Sequence, residues 1–336
     1  MRFLAMSKRQ LAFMLAKIGV AALVLIALSR KVNMAHAWTN VREAAPAPIA
    51  LGILLGFGTV LISGWRWQRL LRVFQIVIPL PALICIAQIG QFFMMFLPGP
   101  IGDDLTRMLY ISRLAPGRVA EACTTVLLDR CIGLASVLIL AVLCIPWQWN
   151  VLAGSPQTHW LALVIVSLGA VMVVFGALFF GAGHPTQQWF EKKLRSLPAH
   201  SWKDELARIW GLLCANKTAL AQVILAATLT QLLLCFLFYL AGISVGINIP
   251  FVTWLSFVPI VLVSNALPIT FAGLGVREYL LVLFLGLLAH VESERALAAS
   301  FMAFFIVLVV CMLGGILYVF YRPRQTLPDP ATPSAL

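Results

Sequence analysis

Asp103, Asp104 and Arg107 lie within five residues of one another, and Asp129 and Arg130 follow as an adjacent pair. Far down the chain Arg277 and Glu278 form another. Long uncharged stretches separate these groups: neither 73–102 nor 218–276 contains Lys, Arg, Asp or Glu. Ionisable side chains in apolar surroundings are costly, so they ordinarily mark a ligand or ion path. Arginine suits phosphate, because its planar fork donates two parallel hydrogen bonds. Arg107, Arg130 and Arg277 are the candidates for that role. Gly99, Gly102, Gly273 and Gly275 would let backbone N–H groups approach the same anion, and a short helix's N-terminus adds positive potential. Asp103, Asp104, Asp129 and Glu278 could neutralise these arginines, bind a cationic group or carry a coupling proton.

Each group also has a plainer reading. Asp129 and Arg130 could be a structural pair holding helices together, since buried charges are normally paired. Asp103, Asp104 and Arg107 could be a helix cap followed by a membrane-surface anchor. Arg277 and Glu278 interrupt an otherwise apolar run, which leaves the structural reading weaker there.

The elements that must position these residues are membrane helices. The chain is 62% hydrophobic and 11% charged, with a mean hydropathy of +0.98. A soluble domain carries about a quarter charged residues, so a soluble fold is excluded. The net charge of +12 does not point to nucleic acid, because the basic residues cluster beside apolar runs. That placement sets membrane orientation and meets anionic lipid. The seven cysteines include no C-x-x-C pair and the five histidines are scattered, so neither a metal nor a cofactor is expected.

Apolar runs at 11–28, 47–65, 119–146, 159–182 and 296–321, with another after 218, predict about six full spans. Residues 11–28 read as a retained span rather than a cleaved signal, because Arg30 and Lys31 follow them. Seventeen of the 24 basic residues fall in five segments: the N-terminus, the turn of Arg66, Arg69 and Arg72, the segment after Gly102, the loop 183–217 and the tail. The positive-inside rule places all five, and so both termini, in the cytoplasm. Residues 73–102 must then return to the side they left, as a re-entrant hairpin with its tip near Gly90. Residues 251–290 form a second hairpin from the opposite side, turning at Pro268–Gly275, although two short spans would also fit.

The predicted fold is an all-α polytopic membrane protein of about six spans and two re-entrant or interrupted helix hairpins. It forms one integral membrane domain, 1–322, of inverted halves 1–158 and 159–322. The loop 183–217 carries two amphipathic pieces suited to the cytoplasmic membrane surface, and 323–336 is expected to be a disordered tail.

Three ordered motifs resemble a known family, the lysylphosphatidylglycerol synthase transmembrane region, also called flippase-like. They are Pro100-Ile101-Gly102-Asp103-Asp104-Leu105-Thr106-Arg107, Asp129-Arg130-Cys131-Ile132-Gly133, and Pro268 through Gly273, Gly275, Arg277 and Glu278. Asp103 stands where the family pattern has its second glycine, so Asp104 is the family-like acid. The resemblance implies movement of a polar or anionic lipid headgroup between leaflets, with phospholipid, glycolipid or polyprenyl-phosphate lipid as substrate classes. It also implies residence in a bacterial inner membrane, contact with lipid-synthesis enzymes, and transport rather than catalysis. Longer members carry a soluble aminoacyl-transfer domain that this sequence lacks, so lipid lysylation is not expected. The alternatives are a lipid-linked glycosyl transferase and a non-transporting partner of a lipid-synthesis complex.

Overall fold

The computed structural model describes residues 34–95, 101–144, 202–266 and 275–321, with Ser167 and Ala170. The expected span at 11–28, that at 159–182 apart from Ser167 and Ala170, the loop 147–158 and the tail lie outside the described residues, as does the first amphipathic piece of 183–217.

Ten helices make up the described residues: α1 (Met34–Arg42), α2 (Pro46–Val73), α3 (Leu80–Met94), α4 (Ile101–Leu114), α5 (Val119–Cys144), α6 (Trp202–Ala215), α7 (Lys217–Ser244), α8 (Phe251–Ala266), α9 (Val276–Ala289) and α10 (Ser293–Phe320). No strand occurs among them. Four helices, α2, α5, α7 and α10, are long and apolar enough to cross a membrane. At about 1.5 Å per residue they are roughly 40 Å long, more than the ~30 Å hydrocarbon core.

Between the long helices stand two pairs of short ones, α3 with α4 and α8 with α9, of which α3 and most of α8 are apolar throughout. Their lengths are 15, 14, 16 and 14 residues. Each arm is therefore only about 21–24 Å long, too short to cross alone. Proline sets where several helices start, because its fixed φ suits the first turn and its missing N–H is unneeded there. Pro46 opens α2, and Pro79 and Pro81 stand at the start of α3.

The first hairpin differs from the expectation at its tip. Gly90 is buried in mid-helix, packed against Asp103 of α4. The helix continues to Met94 because nothing between Gly90 and Met95 breaks it. The second arm starts at Ile101 and runs to Leu114 rather than ending at Gly102. In the second pair α8 ends at Ala266 and α9 starts at Val276. Gly275 adopts φ 92°, a conformation open to glycine, and directly precedes α9.

The long helices cross in a defined sense. The Ala45 N–H at the start of α2 donates to the Ser244 carbonyl at the end of α7 (2.7 Å), so these two helices are antiparallel neighbours. Gly52 of α2 lies against Ile306 of α10, and one turn on Gly56 lies against Val310, so α2 and α10 run parallel.

Two large apolar cores stand out among the described residues, one around each helix pair, with two small clusters beside them. The first gathers Trp67 and Leu71 near the end of α2, Ile86 of α3, Ile111 of α4, Val126 of α5 and Ile209 of α6. The second gathers the later parts of α5 and α7, the early part of α10, and α8 and α9 around Trp254, Phe257 and Phe284. The second amphipathic piece is helical, as expected, and forms α6. Its Arg208 donates to Glu121 of α5 at 2.6 Å, and Arg118 pairs with the same carboxylate.

The last span packs closely on the first hairpin. A Cβ built on Gly314 of α10 would stand 2.1 Å from the Gln88 carbonyl oxygen of α3. The Gln88 side chain returns the contact by donating to the Val310 carbonyl. Backbone cannot yield as a flexible side chain does. Gly314→Ala is therefore expected to destabilise by about 1–3 kcal/mol through overpacking, read as a lower thermal midpoint in detergent.

Candidate functional site

A cavity of ≈ 360 Å³ lies halfway along the four long helices, between the two cores. Thr59 and Ser63 of α2, Gly133 of α5, Gln231 of α7 and Phe304 of α10 mark that level. Asp103, Asp104 and Arg107 reach the cavity from α4, Asp129 and Arg130 from α5, and Arg277 from α9. The two motifs separated by more than 140 residues thus converge on one space. Its remaining wall is largely apolar, including Leu134, Leu234, Phe238 and Val307.

The charges form three groups. In the first, Asp129 accepts two hydrogen bonds from Arg66, from Nε at 2.6 Å and Nη2 at 2.9 Å. It also accepts Arg107 Nη1 at 3.2 Å. Arg107 gives Nε to Asp103 at 2.8 Å and Nη2 to Ser63 Oγ at 3.3 Å, and sits over the Trp67 ring. This cluster ties α2, α4 and α5 together. Arg66, Arg107 and Asp129 are all buried, so the charges are sustained by one another rather than by water.

In the second group, Glu278 is fully buried. It accepts the Gly275 N–H at 2.5 Å, Arg277 Nε at 3.0 Å and the Ser300 hydroxyl at 3.2 Å. Arg277 Nη2 donates to it as well. The carboxylate therefore caps the N-terminus of α9 while holding the guanidinium, which also lies over the Phe304 ring. The third group is looser. Arg130 Nε stands 3.8 Å from Asp104 Oδ2, beyond hydrogen-bond range, and both side chains are partly exposed, at 28% and 24%.

Arg130 is not the partner of Asp129, contrary to the structural-pair reading of that dipeptide. Adjacent residues on a helix point about 100° apart, so Asp129 turns inward to Arg66 and Arg107 while Arg130 turns toward Asp104. Arg66 does not lie in a cytoplasmic turn either. It sits within α2, about 10 Å before the helix ends at Val73. No glycine or proline follows Gly64 to stop the helix. A signal was present: Gly56, Thr59, Ser63 and Arg66 recur at helical spacing as one small and polar stripe, and all four line the cavity. Gly99, Gly273 and Pro268 lie outside the described residues, whereas Gly102 and Gly275 are described and helical or helix-flanking.

The family model for the lysylphosphatidylglycerol synthase TM region matches residues 14–315. The chain belongs to this family. No curated protein matches it. The match covers all the described helices but the last few residues of α10. As a member of the lysylphosphatidylglycerol synthase TM family with four apolar membrane-length helices, it is an integral membrane protein of a lipid-related class. The described parts of the motifs that carried the resemblance fall on α4, on α5 and at the start of α9, the three helices that bring those charges to the cavity.

Proposed function

We propose that this protein moves a polar phospholipid headgroup between membrane leaflets. The carrying observation is the convergence of both charged motifs on one cavity midway along the long helices. The short helix pairs support the reading: as re-entrant hairpins they would bring non-helical backbone to the depth where a headgroup must pass, tolerated where it is buried or lines a cavity. The antiparallel contact of α2 with α7, the parallel contact of α2 with α10 and the separate core around each hairpin support inverted halves. Arg277 contacts the lipid phosphate in this reading, and Glu278 holds its guanidinium between cycles. The protein resides in the inner membrane with both termini cytoplasmic.

The test is leaflet exchange of acyl-labelled phospholipids by purified protein in proteoliposomes. Exchange above protein-free vesicles supports transport, whereas no movement in well-folded protein overturns it. Sugar transfer to lipid on adding a nucleotide-sugar donor, without exchange, would instead support the transferase alternative. Orientation has its own check. A cysteine replacing Lys203, on α6, in a cysteine-free background should react with an impermeant maleimide only from the cytoplasmic side. Periplasmic labelling would reverse the topology.

A further inference from the structure

Among the described residues the cavity charges balance. Arg66, Arg107, Arg130 and Arg277 line the cavity with Asp103, Asp104 and Asp129, and Glu278, buried against Arg277, supplies the fourth carboxylate. A purely anionic headgroup would enter a space in which every arginine already has a carboxylate nearby. Three of the four arginines are also engaged by short hydrogen bonds to those carboxylates. The Asp104–Arg130 pair alone among these is not bonded, at 3.8 Å. It also stands where α4 and α5 meet an exposed apolar face: Ile101 and Leu105 beside Asp104, and Leu127 one turn from Arg130, are about half exposed. The pair therefore borders the cavity on one side and a lipid-compatible surface on the other.

We propose that Asp104 and Arg130 select a zwitterionic phospholipid headgroup at this seam, Arg130 binding the phosphate and Asp104 the ammonium. This rests on the reading that a lipid headgroup occupies the cavity, and it names the substrate class. The physical reason is desolvation. A headgroup carrying both signs satisfies both members of the pair, whereas an anion engages Arg130 and is repelled by Asp104. The open spacing lets the headgroup insert without breaking a formed hydrogen bond, and the partial exposure lets it leave again.

The experiment is binding of short-chain lipids to the full-length protein in detergent, by calorimetry. The probes are dihexanoyl phosphatidylethanolamine and dihexanoyl phosphatidylglycerol. The zwitterion should bind at least about tenfold more tightly, the lower end of what a charge-assisted hydrogen bond contributes. Asp104→Asn should collapse that ratio toward one, and Arg130→Gln should weaken both lipids. Both side chains are partly exposed and loosely paired, so both variants should keep the wild-type thermal midpoint. Failure of the wild type to prefer the zwitterion, whether by equal binding or by none, overturns the inference. So does an Asp104→Asn protein that keeps the preference. Free phosphoethanolamine should bind more weakly than the lipid; equal affinity would make the ligand a soluble zwitterion and overturn the lipid assignment. Selective binding without leaflet exchange in proteoliposomes would sink the transport reading while leaving this one standing.

Discussion

Asp129→Asn should lower the thermal unfolding midpoint more than any other single neutralisation among the cavity carboxylates of α4 and α5. The carboxylate accepts two bonds from Arg66 and one from Arg107, and all three residues are buried. Removing its charge leaves Arg66 with no ion-pair partner among the described residues and Arg107 with Asp103 alone. Breaking one side of a buried ion pair costs about 3–5 kcal/mol, because the remaining charge stays desolvated. Asp104→Asn provides the contrast. Its partner Arg130 is 3.8 Å away and partly exposed, so the loss there should be within about 1 kcal/mol. A second variant separates charge from packing. Asp129→Leu combined with Arg66→Met removes both members of the bidentate pair, leaves Arg107 its bond to Asp103, and should recover most of the stability lost in Asp129→Asn. An Asp129→Asn protein as stable as wild type would show that this cluster does not hold α2, α4 and α5 together. If it is instead folded and inactive in leaflet exchange, Asp129 carries a proton or meets the substrate.

The second large effect is on transport. Arg277→Gln combined with Glu278→Gln should fold, insert and lose lipid movement by at least about tenfold, as expected for a lost charge-assisted contact. The double change is needed because Glu278 is fully buried against Arg277 and the start of α9. Arg277→Gln alone would leave that carboxylate without its cation and confuse instability with inactivity. In the double variant the glutamine at position 278 can still accept the Gly275 N–H, so the helix start keeps its cap. Arg277→Lys keeps the charge but loses the two-pronged fork, so partial activity is expected. Leaflet exchange in proteoliposomes, with thermal midpoints measured in parallel, decides the matter. Normal exchange by the well-folded double variant would make Arg277 and Glu278 a structural pair and place the phosphate contact elsewhere in the cavity.

Local chemistry makes much of this protein legible along the chain. Long apolar runs must be helical in a membrane, since helices satisfy every backbone hydrogen bond within the segment. Hence α2, α5, α7 and α10 are readable from composition and length. Interrupted stretches are readable too, because 73–102 is too short for two spans and 251–290 is barely long enough, although the second arm of the first pair, Ile101–Leu114, lies almost wholly beyond 102. The tip of the first pair is not, because Gly90 resembles a turn residue. Glycine also serves where two helices touch, and only the packing of α3 on α4 distinguishes the two uses. The scarcity of charge likewise marks Asp103, Asp104, Arg107, Asp129, Arg130, Arg277 and Glu278, whose expense in apolar surroundings is a property of residue type alone.

Tertiary structure decided who pairs with whom. Asp129 bonds to Arg66, 63 positions earlier, and not to its neighbour Arg130. That choice depends on how α2 and α5 are rotated about their axes, which the whole bundle's packing sets; the stripe of Gly56, Thr59, Ser63 and Arg66 marks a face of α2 but not the partner it meets. The same rotation left Asp104 and Arg130 facing each other without a hydrogen bond, at the edge of the cavity where both motifs meet. Helices form from contacts three and four residues apart, so they can be read along the chain. The balance of charges in a shared cavity is a sum over α2, α4, α5 and α9, and it exists only once those helices have packed.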